Sequence, residues 1–375
     1  MKIALISSNG FTIYTFRLEL MKELRAKGHE VITMSSPDDY VPKIEAEGFR
    51  FIPLALERRG TNPLKDIRLI FQLYRIYRQE KIDLNIHFTI KPAIYGSIAS
   101  KLAGIKSITV QTCFGYTMIK KNVLTAIVKK LYKISLRYPE KVLFINPEDM
   151  EYFVNDGLCD RSKAGVIKSE GVNSEAFKPD FCRNTEKSDN KIIFLLMGRM
   201  LRDKGVGEFV EAAKKIRSRY KDTEFWLLGD IDKGNPSVVE KKQIDEWQEK
   251  GYVKYLGKTY DVRPFICKAD VVVLPSYREG AGMVLLEGMA MEKPVIATDT
   301  AGCRMVCRDG YNGFLIPVKD AGALADAMKR MINMDKEKLK EMGRNGRKFV
   351  LKEFDVRIIN RTYFELIEQI FKIEK

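Results

Sequence analysis

The fold is decided by the run Ser276-Tyr277-Arg278-Glu279-Gly280-Ala281-Gly282-Met283-Val284-Leu285-Leu286-Glu287, which follows a short apolar stretch at 271–274. The apolar stretch is typical of a buried strand, and the run after it predicts a glycine-containing loop that leads into a helix. Glu279 lies in the loop, and Glu287 lies about two helical turns further on. Because backbone N–H groups at a helix N-terminus bind phosphate well, the run predicts a phosphate site with a carboxylate on either side. A nucleotide sugar is one ligand with that pattern, since its hydroxyl groups flank a diphosphate.

Strands and helices alternate on both sides of this run. The chain opens with an apolar strand at 2–7, which is followed by an amphipathic helix at 15–26. The alternation restarts with a strand at 191–197 and a helix at 207–219. Such a pattern predicts parallel sheets with right-handed crossovers. We therefore predict an α/β fold with doubly wound parallel sheets.

A polar stretch at 179–190 divides the chain in two. We interpret it as a linker, because compact domains are joined by exposed polar segments. The predicted domains are residues 1–178 and 190–355, and a last helix at 356–375 could cross back to the first domain. Open parallel sheets bind ligands at the carboxyl ends of their strands, so we expect a cleft lined by strand-end loops of both domains.

The composition excludes several classes of protein. At 375 residues, 45% hydrophobic and 31% charged, the chain is long enough for two cores and too apolar for a disordered or fibrous protein. It has no apolar run of about 18 residues, so we expect no spanning helix, and we also expect no signal peptide before the first strand. Six cysteines without tight spacing fit reduced thiols in a cytoplasm. Two histidines are too few for a multi-histidine metal site.

The net charge of the chain is +15. A protein this basic is drawn to polyanions, which include nucleic acid, anionic lipid and phosphorylated substrates. Charge alone does not choose among them. The sequence has no recognition helix, RNA-binding sheet aromatics or zinc spacing, so a nucleic-acid-binding protein is the weaker interpretation and we expect no nucleic-acid partner.

A second strand-end loop carries cations. The strand at 191–197 runs into Gly198-Arg199-Met200-Leu201-Arg202-Asp203-Lys204-Gly205. Arg199 and Lys204 are expected to extend into the same cleft as Glu279, where a guanidinium and an ammonium would stabilise charge on a departing diphosphate. Alone, this loop is more simply a solvated basic turn, and two glutamates near a helix start are more simply surface residues. The combination of the two loops favours a site.

The first domain has candidates for binding a second ligand at its strand ends. Gly10 either admits an acceptor phosphate or merely permits a turn, and Arg17 on the following helix could face the same loop. Lys91 is a candidate for a phosphate contact, with a surface lysine as the alternative, whereas His87 is more often structural than catalytic. The other strand-end candidates for acceptor binding are Thr89, Thr112 and Gly115.

Asp230-Ile231-Asp232 follows the strand predicted at 224–228. This spacing is that of the D-x-D motif with which a different nucleotide-sugar fold holds a divalent ion on the diphosphate. Here it lies inside a strand–helix repeat, directly after a Leu-Leu-Gly turn, which favours a polar loop. We therefore expect no metal site.

Taken together, these residues resemble glycosyltransferase family 4 over nearly the whole chain. The resemblance in the second domain rests on Gly198-Arg199, Lys204-Gly205, Glu279-Gly280, Glu287, Lys293-Pro294-Val295-Ile296-Ala297 and Asp309-Gly310-Tyr311-Asn312-Gly313. The first domain is similar to the branch that builds bacterial surface glycans on a polyprenyl-diphosphate carrier, through Phe88-Thr89-Ile90-Lys91-Pro92-Ala93-Ile94-Tyr95-Gly96 and Thr112-Cys113-Phe114-Gly115-Tyr116.

The resemblance implies a GT-B fold, in which two Rossmann-like domains face a cleft. It also implies a retaining transfer of a hexose or N-acetylhexosamine from a nucleotide sugar, a UDP-sugar being favoured, to a polyprenyl-diphosphate-linked glycan, with no metal or other cofactor. The domain at 1–178 would bind the acceptor and the domain at 190–355 the nucleotide sugar. An epimerase of the same fold stays open as the alternative.

The resemblance also assigns roles to residues. Arg199 and Lys204 would hold the diphosphate, Glu279 would touch the hydroxyls of the donor sugar, and Glu287 would bind the ribose. The implied catalytic residues are Arg199, Lys204 and Glu279, and the implied nucleotide-sugar-binding residues are Gly198, Gly280, Gly282, Met283, Val284 and Glu287. The chain departs from the family pattern at Gly282, where many members have proline, at Met305, where many have glutamate, and near Phe114, where no histidine stands.

Two basic amphipathic helices in the first domain are predicted to meet a membrane. One at 63–79 carries Arg68, Arg75 and Arg78, and one at 123–136 mixes lysines with apolar residues. We expect the apolar stripe of the second helix to pack on the sheet. The excess basic charge favours an anionic membrane surface over a merely solvated face, which predicts peripheral association with the inner face of the cell membrane, in the cytoplasm.

Overall fold

The computed structural model describes residues 1–57, 60, 62–112, 123–183 and 191–372. The chain divides into two compact units, Met1–Glu170 with Ile359–Lys375, and Gly171–Ile358. In the described residues each unit is a parallel sheet flanked by helices. The prediction of an α/β fold with two Rossmann-like domains is therefore confirmed.

The first unit contains seven strands within the described residues: β1 Lys2–Asn9, β2 Glu30–Ser36, β3 Arg50–Pro53, β4 Leu84–Phe88, β5 Lys106–Gln111, β6 Lys141–Phe144 and β7 Ala164–Val166. Its helices are α1 Gly10–Ala26, α2 Val41–Ala46, α3 Pro63–Gln79, α4 Ser97–Ala103, α5 Val123–Ser135 and α6 Pro147–Asn155, with a π-helical turn at Pro92–Gly96. The strands pair in the order β3-β2-β1-β4-β5-β6-β7, and every pair is parallel.

The second unit contains six strands within the described residues: β8 Ile192–Met197, β9 Thr223–Leu228, β10 Lys254–Tyr255, β11 Val271–Leu274, β12 Val295–Thr298 and β13 Gly313–Ile316. Its helices are α7 Val206–Arg217, α8 Lys241–Glu249, α9 Arg263–Lys268, α10 Met283–Ala290, α11 Ala301–Val306, α12 Ala321–Ile332 and α13 Lys336–Glu353. The strands pair in the parallel order β10-β9-β8-β11-β12-β13.

The direction in which strands are added reverses once in each sheet. The reversal lies between β1 and β4 in the first sheet and between β8 and β11 in the second. Ligands of open α/β sheets bind at such a point, beyond the carboxyl ends of the strands. The loops that follow these four strands are therefore where the sites are expected.

The second sheet is buried on both faces. Along β8, Phe194 and Leu196 belong to one apolar cluster, while Ile193 and Leu195 belong to another. This division follows from the alternation of side chains along a strand, and both faces are apolar because helices cover both sides of a parallel sheet.

The last helix, α14 at Val356–Lys372, belongs to the first unit from Ile359 onward. Asn360 donates its side-chain amide to Glu23 at 2.8 Å, and Lys106 donates to the carbonyl oxygen of Ile370 at 2.9 Å. These contacts fix α14 to α1 and β5. No helix within the described residues combines the length and the apolar character that a bilayer-spanning segment requires.

The sequence does not predict two features of the second unit. The residues Ala301–Val306, directly after β12, form α11, whose Gly302 lies against the loop after β11. The expectation of reduced cysteines is wrong, because Cys182 and Cys267, 85 residues apart, form a disulfide. They meet because a 3₁₀ turn at Pro179–Cys182 packs on α9.

Candidate active site

The loops after β8 and β11 are fastened to each other. The carbonyl oxygen of Asp203 accepts hydrogen bonds from the backbone N–H of Tyr277 at 2.9 Å and from the hydroxyl of Ser276 at 3.1 Å. Gly205 has a left-handed φ of 73°, and a Cβ atom there would lie 2.0 Å from the carbonyl oxygen of Pro275. Only glycine allows this approach. The fold therefore brings the cationic loop and the Glu279 loop together, as predicted.

The loop after β9 joins the same assembly. Gly229 has a φ of 147°, and a Cβ atom there would lie 1.8 Å from the carbonyl oxygen of Gly198. The N–H of Met200 donates to the carbonyl of Asp230 at 2.8 Å, and the N–H of Arg202 donates to that of Ser237 at 2.7 Å. Three strand-end loops thus form one hydrogen-bonded rim at the carboxyl edge of the second sheet.

The two predicted cations each contact a carboxylate. Lys204 Nζ lies 2.5 Å from Glu279 Oε1, and both side chains are mostly buried. Arg199 Nη1 lies 2.5 Å from Asp232 Oδ2, with 42% of the Arg199 side chain exposed. The sequence predicts that both cations lie near the Glu279 loop. It does not predict the contact between Arg199 and Asp232, because the spacing of Asp232 favours a polar loop. The one available signal was that Asp232 follows the strand next to β8.

The N-terminus of α10 presents open N–H groups. Gly282 caps the helix with a left-handed φ of 54° and ψ of 52°, and its carbonyl accepts from Leu285 N. Among the described residues, no acceptor lies on the N–H groups of Met283 and Val284. These groups carry the positive end of the helix dipole, so they form an anion-binding point beside Glu279.

Glu287 lies one turn further along α10. Part of its side chain reaches the surface, yet burial raises the pKa of its carboxyl from 4.5 to about 8. No group in the described part of the chain donates a hydrogen bond to it. A desolvated carboxyl without a donor is costly unless a ligand supplies one.

The raised pKa of Glu287 makes the stability of the protein depend on pH. A group whose pKa is higher in the folded state favours folding fully below about pH 4.5, and this contribution is lost as the pH rises through about 8. We expect Glu287→Gln to leave the melting temperature nearly unchanged at pH 5 and to raise it at pH 9 relative to the wild type. Equal pH profiles for both proteins in differential scanning calorimetry would contradict the assigned environment of Glu287.

The switch point of the first sheet contains a strained residue. Thr89, directly after β4, has a φ of 69°, and its hydroxyl lies 2.5 Å from that of Ser8 in β1. A β-branched residue with positive φ is a genuine outlier, and such strain concentrates at functional sites. Thr89 therefore remains in the candidate acceptor site.

Lys91 is mostly buried and forms an ion pair with Asp66. Its Nζ lies 2.6 Å from Asp66 Oδ1, and the hydroxyl of Tyr95 donates to the other oxygen of Asp66 at 2.7 Å. The contact places Lys91 against α3. An acceptor phosphate at Lys91 would have to share the ammonium group with Asp66.

Two other candidates in the first unit are engaged by the fold. A Cβ atom at Gly10 would lie 2.5 Å from Asp38 Oδ1, and Asp38 also accepts from the N–H of Phe11 at 2.9 Å. Arg17 is 1% exposed, pairs with Glu170 and lies over the ring of Phe88. A buried, paired guanidinium does not reach a ligand, so we exclude Arg17 from the proposed acceptor site.

The remaining candidates in the first unit are His87, Thr112 and Gly115. His87 is fully buried, with its Nε2 3.2 Å from the hydroxyl of Tyr77, and burial lowers the pKa of its imidazole to about 3. It is therefore a neutral structural histidine, as the sequence favoured. Thr112 is half-buried at the end of β5, and Gly115 lies outside the described residues. Within the described ranges, no three His, Cys, Asp or Glu side chains are grouped as metal ligands.

Family comparisons agree with this architecture. Residues 177–349 match the family model of glycosyl transferases group 1, and residues 2–146 match that of glycosyl transferase 4-like proteins. The two matches together span most of the chain and cover both units.

Two relatives match the chain over most of its length. The chain is 28% identical to the N,N'-diacetylbacillosaminyl-diphospho-undecaprenol alpha-1,3-N-acetylgalactosaminyltransferase of Campylobacter jejuni, over 99% of this chain and 100% of the relative. It is 26% identical to the UDP-Gal:alpha-D-GlcNAc-diphosphoundecaprenol alpha-1,3-galactosyltransferase of Escherichia coli, over 80% of this chain and 78% of that one.

Among solved structures, sucrose-phosphate synthase from Thermosynechococcus elongatus superposes with a TM-score of 0.83 at 21% identity, over 100% of both chains. HepE from Anabaena in complex with UDP-glucose superposes with a TM-score of 0.82 at 20% identity, over 98% of this chain and 100% of that one. At these identities the structural likeness establishes the fold, and the family models establish the family. The chain belongs to the glycosyltransferases of family 4 and has their GT-B fold.

Proposed function

We propose that this glycosyltransferase moves a hexose or N-acetylhexosamine from a nucleotide sugar to a polyprenyl-diphosphate-linked sugar, with retention of anomeric configuration, in the assembly of a bacterial surface glycan. A UDP-sugar is the favoured donor, because the Escherichia coli relative is named for UDP-Gal and the HepE structure contains UDP-glucose. Both named relatives are transferases of diphospho-undecaprenol-linked sugars, which supports the lipid-linked acceptor.

The rim at the carboxyl edge of the second sheet carries this proposal. Two cations, Arg199 and Lys204, stand on a loop fastened to the one that leads into α10, and the open N–H groups of Met283 and Val284 begin that helix. A diphosphate needs positive charge and N–H donors held in place before it arrives. Glu287, a partly exposed and largely desolvated carboxyl without a donor among the described residues, suits the hydroxyls of a ribose.

The proposed chemistry is a same-face substitution. The bond between the anomeric carbon and the diphosphate oxygen breaks while the acceptor oxygen forms a bond on the same face, and the acceptor proton passes to the departing phosphate oxygen. Arg199 and Lys204 stabilise the charge that develops on the diphosphate, and Glu279 orients the sugar hydroxyls. These residues supply the positive charge, so we propose a transfer that needs no metal ion or other cofactor.

An assay of nucleoside diphosphate release tests the proposed function. The protein is incubated with a panel of UDP- and GDP-sugars, with and without an undecaprenyl-diphosphate-linked sugar, and with EDTA. We expect release only when the acceptor is present, unchanged by EDTA, and an alpha-linked product from an alpha-linked donor. Interconversion of the donor sugar without acceptor would instead indicate an epimerase, and the absence of release with every donor would refute the transferase proposal.

The first unit has an exposed apolar face that supports a membrane-surface role. On α3, Phe71 is 59% exposed, and on α5, Val123 and Ile127 are 78% and 52% exposed. The sequence expected the α5 stripe to pack on the sheet, which is wrong in part: Val128 and Leu131 pack there, while the outer residues do not. The exposed apolar face comprises Leu64, Ile67 and Phe71 on α3 with Val123, Leu124, Ile127 and Ile134 on α5.

Exposed basic residues lie on the same two helices as the exposed apolar face, and both helices contact the π-helical turn at Pro92–Gly96. The exposed cations on these helices are Arg68, Arg75 and Arg78 on α3 and Lys130 and Lys133 on α5. Apolar side chains that enter a bilayer interface, ringed by cations that meet anionic headgroups, are typical of a peripheral membrane element. We propose that this face holds the enzyme on the inner surface of the membrane that contains its acceptor, since nucleotide sugars are cytoplasmic substrates.

Vesicle sedimentation tests the membrane proposal. We expect the wild type to sediment with vesicles of phosphatidylcholine and phosphatidylglycerol more than with phosphatidylcholine alone. Phe71→Asp with Ile127→Asp should lower binding roughly tenfold or more, because each large apolar side chain contributes about 1.5–3 kcal/mol when it leaves water. Val318→Asp, at a 41% exposed apolar residue of the second unit, is the matched control and should bind like the wild type. Negligible wild-type binding to both vesicles would refute the proposal.

A further inference from the structure

We propose that Asp232 is a positioning residue, which orients the guanidinium of Arg199 toward the donor diphosphate. The inference rests on the proposed function and assigns a role to Asp232, which the donor site described above does not use. Asp232 is the second aspartate of the Asp230-Ile231-Asp232 motif, whose spacing suggested either a metal site or a polar loop.

The contact between Arg199 and Asp232 leaves the guanidinium ready for a ligand. Arg199 Nη1 lies 2.5 Å from Asp232 Oδ2, and within the described part of the chain the guanidinium of Arg199 has no other polar partner. A guanidinium has five N–H donors in a fixed plane, so a contact through Nη1 leaves the donors on Nε and Nη2 available. With 42% of its side chain exposed, Arg199 presents these donors to solvent.

Asp232 itself is held firmly. Only 15% of its side chain is exposed, and its Oδ2 also accepts from the side-chain amide of Asn235 at 3.0 Å. Ser237, in the same loop, accepts from the N–H of Asp203 and donates to the carboxylate of Asp203 at 2.7 Å. The loop that carries Asp232 is thus bonded to the loop that carries Arg199. A charged group orients another well only when it is fixed by its own bonds, and this condition is met here.

The charge of Asp232 gives the role a distinctive signature. The carboxylate repels a diphosphate that binds to Arg199, while it fixes the direction of the guanidinium. Removing the charge therefore leaves the attraction for the donor equal or stronger but loses the alignment that lowers the barrier. A merely structural aspartate would instead affect donor binding, turnover and stability in the same direction.

Steady-state kinetics with a UDP-sugar and a lipid-linked acceptor tests the inference. We expect Asp232→Asn to lower kcat roughly 10- to 100-fold, without raising the KM for the donor. Asp232→Glu, which restores the charge, should recover part of kcat. The double variant Arg199→Ala/Asp232→Asn should be no slower than Arg199→Ala alone, because Asp232 acts through Arg199.

Asp230→Asn is the matched control, since it removes the same charge two residues away, from an exposed side chain that does not contact Arg199. It should turn over like the wild type, and melting temperatures of all variants check their folding. Three results would overturn the inference while the proposed function stands. These are a wild-type kcat in Asp232→Asn, losses in kcat that multiply in the double variant, and a loss of kcat in Asp230→Asn equal to that in Asp232→Asn. A wild type without acceptor-dependent release would overturn both.

Discussion

Replacing either cation of the strand-end rim, as Arg199→Ala or Lys204→Ala, is expected to lower kcat on the order of 100-fold. One preorganised contact to developing charge typically changes the rate by this factor. Water that replaced the lost cation would have to reorient as the charge develops, which the fixed cation does not. Both variants are measured with saturating donor and acceptor, so that the change appears in kcat rather than in binding.

Lys204→Ala has a second consequence, since it leaves the carboxylate of Glu279 without the ammonium group that lies 2.5 Å away. The double variant Lys204→Ala/Glu279→Gln separates the two effects. If loss of the cation dominates, the double variant stays as slow as Lys204→Ala. Lys242→Ala, at an exposed lysine of α8, is the control for a lost positive charge on the second unit. Near-normal turnover in both Arg199→Ala and Lys204→Ala would refute their assignment.

Gly302→Ala is expected to impair the enzyme severely without touching any ligand. A Cβ atom at residue 302 would lie 2.5 Å from the carbonyl oxygens of both Glu279 and Gly280, so the Glu279 loop has to move. A displacement of about 1 Å in such a loop costs roughly 100-fold in rate. We expect a fall in kcat/KM of at least tenfold, measured in the same release assay.

Gly207→Ala provides the matched comparison. Gly207 lies in the first turn of α7, and a Cβ atom there meets nothing within 4 Å. This variant should keep wild-type kinetics and gain slightly in stability, because alanine favours a helix over glycine. A wild-type kcat/KM in Gly302→Ala would show that the reaction tolerates a displaced Glu279 loop. This result would contradict the proposal that Glu279 orients the hydroxyls of the donor sugar.

Helices with strong local signals could be predicted well from the sequence. The helix predicted at 63–79 is α3, because Asn62 caps it and Pro63 occupies its first position. The same signals, Asn146 followed by Pro147, precede α6, and they would have predicted this helix as well. By contrast, α11 is six residues long, and its place depends on the approach of Gly302 to another loop. The local sequence gives no sign of this contact between Gly302 and the Glu279 loop.

The candidate site was predictable to the extent that it follows from sheet topology. In a doubly wound sheet the first and fourth strands are neighbours, so the loops with Lys204 and Glu279 had to meet. The pairing of Arg199 with Asp232 depends instead on two glycines whose backbones touch, which no spacing rule reveals. Helical periodicity likewise defined the apolar stripe of α5 but not which part of it the sheet would cover.

The central claim is that the strand-end rim of the second sheet holds the diphosphate of a nucleotide sugar. A crystal structure with an intact UDP-sugar tests it most directly. We predict the diphosphate within hydrogen-bond distance of Arg199, Lys204 and the N–H groups of Met283 and Val284, with the ribose hydroxyls on Glu287. A diphosphate bound elsewhere, with the charged groups of Arg199 and Lys204 out of contact with it, would contradict the claim.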